Sequence, residues 1–326
     1  MLAAVFDFKN FVETFWSNAI TGLSLGSVYA LVALGYTLVY GVLRLINFAN
    51  SEVFMLGTFG SVVALNVLGF NDASARLGFF GIVGAFALML VASLAFSAGA
   101  AVALEFVAYR PLRRRGAPRL VFLISAIGAS LVMASAVERF GPKKNESYAI
   151  ARVWSSTTKS LFTIGKNGEV QIRNVVVFVG SMLMMLALSL FVSKSRFGKG
   201  MRAVAQDSET ARILGVNTDQ IIVVTFVLGG LMAGAAAFLY MVQYQVTDYS
   251  VGFVLGVKAF TAAVLGGIGN LKGALLGGLL LGVLENSGAG LFGGKWKDVV
   301  SFVVLVAVLM FRPNGLLGES LGRARA

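Results

Sequence analysis

Lys194-Ser-Arg-Phe-Gly-Lys-Gly-Met-Arg-Ala-Val-Ala-Gln-Asp-Ser-Glu-Thr-Ala-Arg-Ile-Leu-Gly-Val-Asn-Thr-Asp-Gln220 is a charged, helix-prone island between two apolar segments, 175–193 and 221–241. Each flank has about the twenty apolar residues a helix needs to cross a hydrocarbon core. An insert of this charge between two such segments must lie in water. Its acids (Asp207, Glu209, Asp219) are interspersed with bases (Lys194, Arg196, Lys199, Arg202, Arg212), which favours a protein groove as the surface that grips it. The bland alternative is a basic amphipathic loop lying on anionic lipid.

Outward from the island, the same apolar pattern repeats. Spans are predicted near 15–40, 53–70, 78–107, 120–138, 175–193, 221–241, 253–269, 273–291 and 298–311, so eight to ten in all. Those at 253–269 and 298–311 are short, and 253–291 is broken by Gly266, Gly267, Gly269 and Gly273. A half-helix or re-entrant piece there is tolerable only if protein buries it. The fold class is therefore all-α: one polytopic transmembrane helix bundle over residues 1–326. Composition agrees, since 13% of the 326 residues are charged and 57% hydrophobic, with a mean hydropathy of +0.83. Soluble domains carry about 25% charged residues. No cleavable signal peptide is evident among the first residues, which hold Asp7, Lys9 and Glu13, so the first span is expected to stay as a membrane helix.

The chain has no Cys and no His, which removes disulfides, thiolate metal sites and the commonest metal ligand and proton shuttle. A net charge of +12 in a soluble protein would point to nucleic acid. Here the bases cluster in short loops beside apolar spans, the positive-inside pattern, and no nucleic-acid partner is expected. Loop 108–119, the island 194–220 and the C-terminus are all basic and read as cytoplasmic. Parity then puts 139–174 outside despite its own bases, and the N-terminus outside if nine spans are real. Within the outer loop, Leu161–Ile172 alternates apolar residues around Asn167-Gly168, a pair suited to a type I′ hairpin turn.

In the island, Asp207 or Ser208 can cap a short helix through Leu214, closed by Gly215 in the left-handed region; Asn217 and Gln220 resemble a capping box opening the next span. Ala205, Ala211, Ile213, Leu214 and Val216 are expected to pack, leaving Arg202, Asp207, Glu209 and Arg212 accessible.

Taken together, several motifs resemble the H-type permease of the Liv system, the bacterial branched-chain amino-acid ABC importers. They are Gly200-Met-Arg-Ala-Val-Ala-Gln-Asp207, Leu214-Gly-Val-Asn-Thr-Asp219, Gly26-Ser-Val-Tyr-Ala-Leu-Val-Ala-Leu-Gly35, Tyr40-Gly-Val-Leu-Arg-Leu-Ile-Asn-Phe-Ala49, Tyr109-Arg-Pro-Leu-Arg113, Ile124-Ser-Ala-Ile-Gly128, Lys258–Gly269 and Arg312-Pro-Asn-Gly-Leu-Leu-Gly318. The resemblance runs nearly end to end. It departs at Asn50-Ser51, where the family has His-Gly before the Glu at 52, so no family role is carried to those two positions. The resemblance implies an inner-membrane complex of two permease chains, a heterodimer with a homologous second permease, two ABC ATPase subunits and a periplasmic solute-binding protein. The ATPases would bind ATP and magnesium, and this chain would bind no cofactor of its own. It implies ATPase coupling through Arg202, Ala205, Asp207, Glu209, Ala211, Arg212, Leu214 and Gly215. No phosphate-binding loop G-x-x-x-x-G-K-[ST] occurs in the chain, which agrees with the ATPase residing elsewhere.

Candidates for the translocation path are the polar run Asn47, Asn50 and Glu52, and the pair Gly266 and Gly267. The run is either a broken helix facing a cavity or a plain cytoplasmic turn. Lys258 and Glu285, in neighbouring spans, either pair across the bundle or anchor at the interface. Glu105 and Glu138 are expected to pair structurally with Arg110 and Arg139. Gly22/Gly26, Gly230/Gly234, Gly252/Gly256, Gly273/Gly277 and Gly278/Gly282 have the spacing that lets helices approach closely. A urea or amide importer of the same machinery would read much alike. An ion-gradient-driven transporter would need more buried ionisable groups than Glu52, Lys258 and Glu285, and a membrane enzyme would need a nucleophile or base cluster that a chain without His or Cys scarcely offers.

Overall fold

The computed structural model describes residues 8–69, 79–140, 160–164, 168–312 and 314–318. Its helices are α1 (Phe8–Leu43), α2 (Asn50–Val67), α3 (Phe79–Leu104), α4 (Arg110–Arg114), α5 (Arg119–Phe140), α6 (Ile172–Lys194), α7 (Arg196–Gln206), α8 (Ser208–Ile213), α9 (Thr218–Tyr244), α10 (Val251–Gly266), α11 (Leu271–Phe292) and α12 (Lys297–Phe311). A π-helical turn, Glu105–Tyr109, joins α3 to α4. Every predicted span is occupied by a helix. Six helices among the described residues, α1, α3 with its extension to Arg114, α5, α6, α9 and α11, are long and apolar enough to cross a membrane.

The other three, α2, α10 and α12, have 18, 16 and 15 residues. At about 1.5 Å per residue they are roughly 27, 24 and 22 Å long, short of a core about 30 Å thick. α2 and α10 are buried along most of their length, and this enclosure lets a short helix end inside the bundle. α10 stops at Gly266 instead of running on to 269, because Gly267 takes φ +105°, which a helix cannot contain. Residues 314–318 then lie across that end: the Leu316 and Leu317 amides donate to the carbonyls of Leu265 (2.8 Å) and Gly266 (3.0 Å). Asn270, which caps α11, donates its side-chain amide to Leu317 O.

α1, α2, α9, α10 and α11 form the centre, whereas α5 and α6 turn most of their Leu, Ile and Val outward. Lipid offers helices no hydrophobic reason to associate, so close contact rests on small residues. α1 and α11 cross where Gly22 and Gly26 meet Gly282 and Gly278; a Cβ at Gly22 would lie 2.6 Å from Gly282 O, and one at Gly26 2.6 Å from Gly278 O. Gly230 and Gly234 meet α3 in the same way.

β1 (Ser160–Ile164) and β2 (Gly168–Gln171) pair antiparallel. Gly168 is opposite Ile164, so it is a strand residue and not half of a two-residue turn; Asn167 lies outside the described residues. The observed backbone register sets Phe162 opposite Val170, a pairing the two-residue turn would not have produced.

Candidate translocation and coupling sites

α1 ends where Arg44 takes φ +57°, and the chain re-enters the bundle at once. Asn47 is 1% exposed; its Oδ1 accepts the Ala49 amide (3.2 Å) and the Tyr109 hydroxyl (3.0 Å). Tyr109 belongs to the π-turn and is held between Phe226 and Phe122. Asn50 is buried, with Nδ2 unpartnered beside Gly35. This connection is thus an interior element and not a solvated turn.

Glu52, in the first turn of α2, is 2% exposed. Its Oε1 accepts from Ser130 Oγ on α5 (3.3 Å), while Oε2 has no hydrogen-bond donor and packs against Gly252 of α10. One turn along, Gly256 receives Ser51. Gly252 and Gly256 therefore make the surface on which the start of α2 sits. Gly266 and Gly267 lie at the far end of α10, about 21 Å away at 1.5 Å per residue. They pack on the backbone of Gly273 and on Asn314 and Gly318, with no space for a side chain. The structure does not bring them together with Asn47, Asn50 and Glu52.

Two ion clusters bind helices together. Lys258 Nζ lies 2.8 Å from Glu285 and 2.7 Å from Asp298, and Ser301 Oγ donates to the other Glu285 oxygen (3.2 Å). This joins α10, α11 and α12, so Lys258 and Glu285 do pair across the bundle. Arg113 bridges Glu105 (3.0 Å) and Asp219 (2.9 Å), linking the π-turn to the first turn of α9. The expected Glu105–Arg110 pair is not formed: the π-turn's wider winding and Pro111 turn Arg110 away, over the Phe106 ring at 4.6 Å. Glu138 is exposed and makes no ion pair among the described residues. Neither Arg113 nor Asp298 was singled out from sequence; only their basic and acidic character at span ends hinted at them.

The island folds as two short helices. Ser195 caps α7 by accepting from the Gly198 amide (2.9 Å). Asp207 ends α7 and caps α8, accepting from the amides of Glu209 (2.9 Å) and Thr210 (3.2 Å). The hydrogen bonds from the Thr210 hydroxyl and then from these amides hold its carboxyl below the ordinary carboxylate range. Gly215, at φ +87°, closes α8, and Asn217 caps α9 through the Gln220 amide (3.1 Å). Met201, Val204 and Ala211 pack inward while Arg202, Asp207, Glu209 and Arg212 stay exposed. Ile213 and Leu214, expected to pack, instead stand 81% and 78% exposed, because Gly215 turns the chain before either can fold back. Arg202 donates to Val192 O (2.6 Å), and Arg44, at the end of α1, donates to Ala205 O (3.3 Å). The island is thus tied to both α6 and the α1–α2 connection.

Residues 18–309 match the family of branched-chain amino acid transport system permease components. The high-affinity branched-chain amino acid transport system permease protein BraD of Pseudomonas aeruginosa is 43% identical over 307 residues, covering 92% of this chain and 94% of its own. LivH of Escherichia coli, of the same description, is 39% identical over 308 residues, covering 94% and 96%. LsrC of Photorhabdus luminescens, an autoinducer 2 import system permease, is 35% identical over 138 residues, covering 40% of this chain and 41% of its own.

Proposed function

The chain belongs to the permease family of branched-chain amino acid transport systems, and from this premise we propose that it is the membrane-path subunit of an ATP-driven importer for branched-chain or other small amino acids. In this reading it sits in a bacterial inner membrane beside a homologous permease. Two ABC ATPases, carrying ATP and magnesium, bind its cytoplasmic face, and a periplasmic solute-binding protein delivers solute to the other.

One observation carries the proposal. α8 is a capped helix of six residues; Ile213 at its end and Leu214 just after it are exposed, following the exposed charges of Glu209 and Arg212. Isolated helices of this length are marginal in water. A pair of exposed apolar side chains set in mixed charge fits a groove on another protein better than it fits lipid headgroups. Arg202, Ala205, Asp207, Glu209, Ala211, Arg212, Leu214 and Gly215 are the docking segment in this reading. Closure of the ATPases would push on it, and Asp219, Arg113 and Arg44 would pass that motion to the α1–α2 connection. Asn47, Asn50 and Glu52 stand beside the solute path, while Gly266 and Gly267 form a joint at the base of α10.

The test is uptake and ATP hydrolysis in vesicles holding the complete complex. Arg212→Glu and Ala211→Pro are expected to leave insertion intact and to abolish uptake, with hydrolysis no longer stimulated by loaded binding protein. Arg212 suits the test better than Arg202, whose hydrogen bond to Val192 would also be lost. Uptake by both variants at the unaltered rate would refute docking. The partial likeness to an autoinducer 2 permease favours a second reading of the solute alone, in which the same scaffold carries a different small polar molecule. A ligand screen on the cognate binding protein separates the two.

A further inference from the structure

Glu52 presents a physical problem that its surroundings do not solve. It is almost wholly buried at the start of a helix inside a membrane bundle, with one hydroxyl on Oε1 and nothing on Oε2. Every ion pair among the described residues lies elsewhere, on Arg113 or Lys258. Ionisable groups in such places are expensive, and a neutral Gln would fill the same space with less penalty. Two neighbouring features favour the anion over the carboxylic acid. Ser130 donates a hydrogen bond to it, and the amino end of α2 directs its partial positive charge at the first turn. What is lacking is a full positive charge at Oε2. On the Oε2 side the carboxylate packs against Gly252, where a Cβ would lie 2.5 Å from that oxygen.

We infer that Glu52 Oε2 is the transient receptor for the α-ammonium group of the transported solute, exposed when α10 parts from the start of α2 and shut off again by Gly252. The inference rests on the importer reading above, which supplies a solute that carries an ammonium group. α10 is suited to such a movement. It is one of the short helices, it meets the start of α2 through two glycines, and it is anchored at other points, by Lys258 to α11 and α12 and by residues 316–317 at its base. Glu52 would thereby favour amino acids over uncharged or anionic molecules of equal size, after the binding protein has made its own selection.

The experiment uses the complete complex in proteoliposomes, with leucine as solute. Glu52→Gln should lower uptake at least tenfold while hydrolysis stimulated by loaded binding protein stays within twofold, and Glu52→Asp should retain more uptake than Glu52→Gln. Unchanged uptake by Glu52→Gln would overturn the inference, since packing or a bound proton would then suffice. Joint loss of uptake and hydrolysis in an assembled complex would also overturn it, by placing Glu52 in the gate. A second measurement needs no variant: labelling of Glu52 by a hydrophobic carbodiimide, read by peptide mass. 3-Methylbutylamine should slow labelling at least fivefold and 4-methylpentanoate should not; equal effects of the two would count against the inference. If the unaltered complex shows no ATP-dependent uptake, the importer reading fails, and the contrast between amine and acid still decides whether Glu52 receives an ammonium group.

Discussion

Gly26 faces Gly278 across the crossing of α1 and α11, where the space for one methyl group is taken by backbone. Gly26→Leu should therefore force the two helices apart at a cost of at least about 1–3 kcal/mol, the usual penalty for overpacking. Gly41, in the same helix, has nothing within 4 Å of where a Cβ would stand. Gly41→Ala should be neutral or stabilising by up to about 1 kcal/mol, from the better helix propensity of Ala. Thermal unfolding of the two purified variants in detergent checks both expectations. At Asp207 the carboxyl is held below its ordinary 3.8 by Thr210 and the α8 amides, so the cap is at full strength above that value and weakens only as pH falls through the lower folded one. Helicity of the island should consequently be flat from neutral pH down to about pH 5, and Asp207→Asn, which can still cap, should keep it where Asp207→Ala does not. Circular dichroism difference spectra of the variants provide the measurement.

Among the elements, the join between α3 and α9 depends on Arg113. Glu105 is fully buried and Asp219 half-exposed, so the two ends of the bridge are unequal. Arg113→Gln leaves Glu105 charged and unpaired and should cost about 3–5 kcal/mol, whereas Asp219→Asn should cost far less. Adding Glu105→Gln to Arg113→Gln should recover much of the loss. A thermal series on the three proteins tests this, and equal midpoints for Arg113→Gln and Asp219→Asn would rule it out. This bridge also marks where reading from sequence stops. Each apolar segment, the Asp207 and Asn217 caps and the Gly215 stop are local and were legible. Arg113 reaches Glu105 across a π-turn, Leu316 reaches back to Leu265, and the hairpin register follows from which residues face each other. Those contacts are set by tertiary packing, which periodicity does not encode. The exposure of Ile213 and Leu214 is not legible for a related reason: an apolar residue in a capped helix reads as core, and it is the chain reversal at Gly215 that leaves the two outside.

For the whole molecule, the central helices carry the polar groups and the outer ones face lipid or a neighbour. In the importer reading, ATP is consumed elsewhere. This chain reconstituted alone is accordingly expected to accumulate no solute under a proton or sodium gradient, and measurable accumulation in vesicles would refute the reading. Glu52 was legible as a charge in an apolar setting, but its burial, its Ser130 partner and its contact with Gly252 required three helices to be in place.

The strip 314–318 has a consequence for biosynthesis. The carbonyls of Leu265 and Gly266 find their donors in Leu316 and Leu317, about fifty residues later in the chain. At some 5–20 residues per second, the ribosome leaves that helix end unsealed for several seconds while α11 and α12 are being inserted. During that interval the cell's quality-control proteases would meet an unfinished joint, and a nascent chain stalled before residue 316 should be cut near Gly267 while the released protein resists.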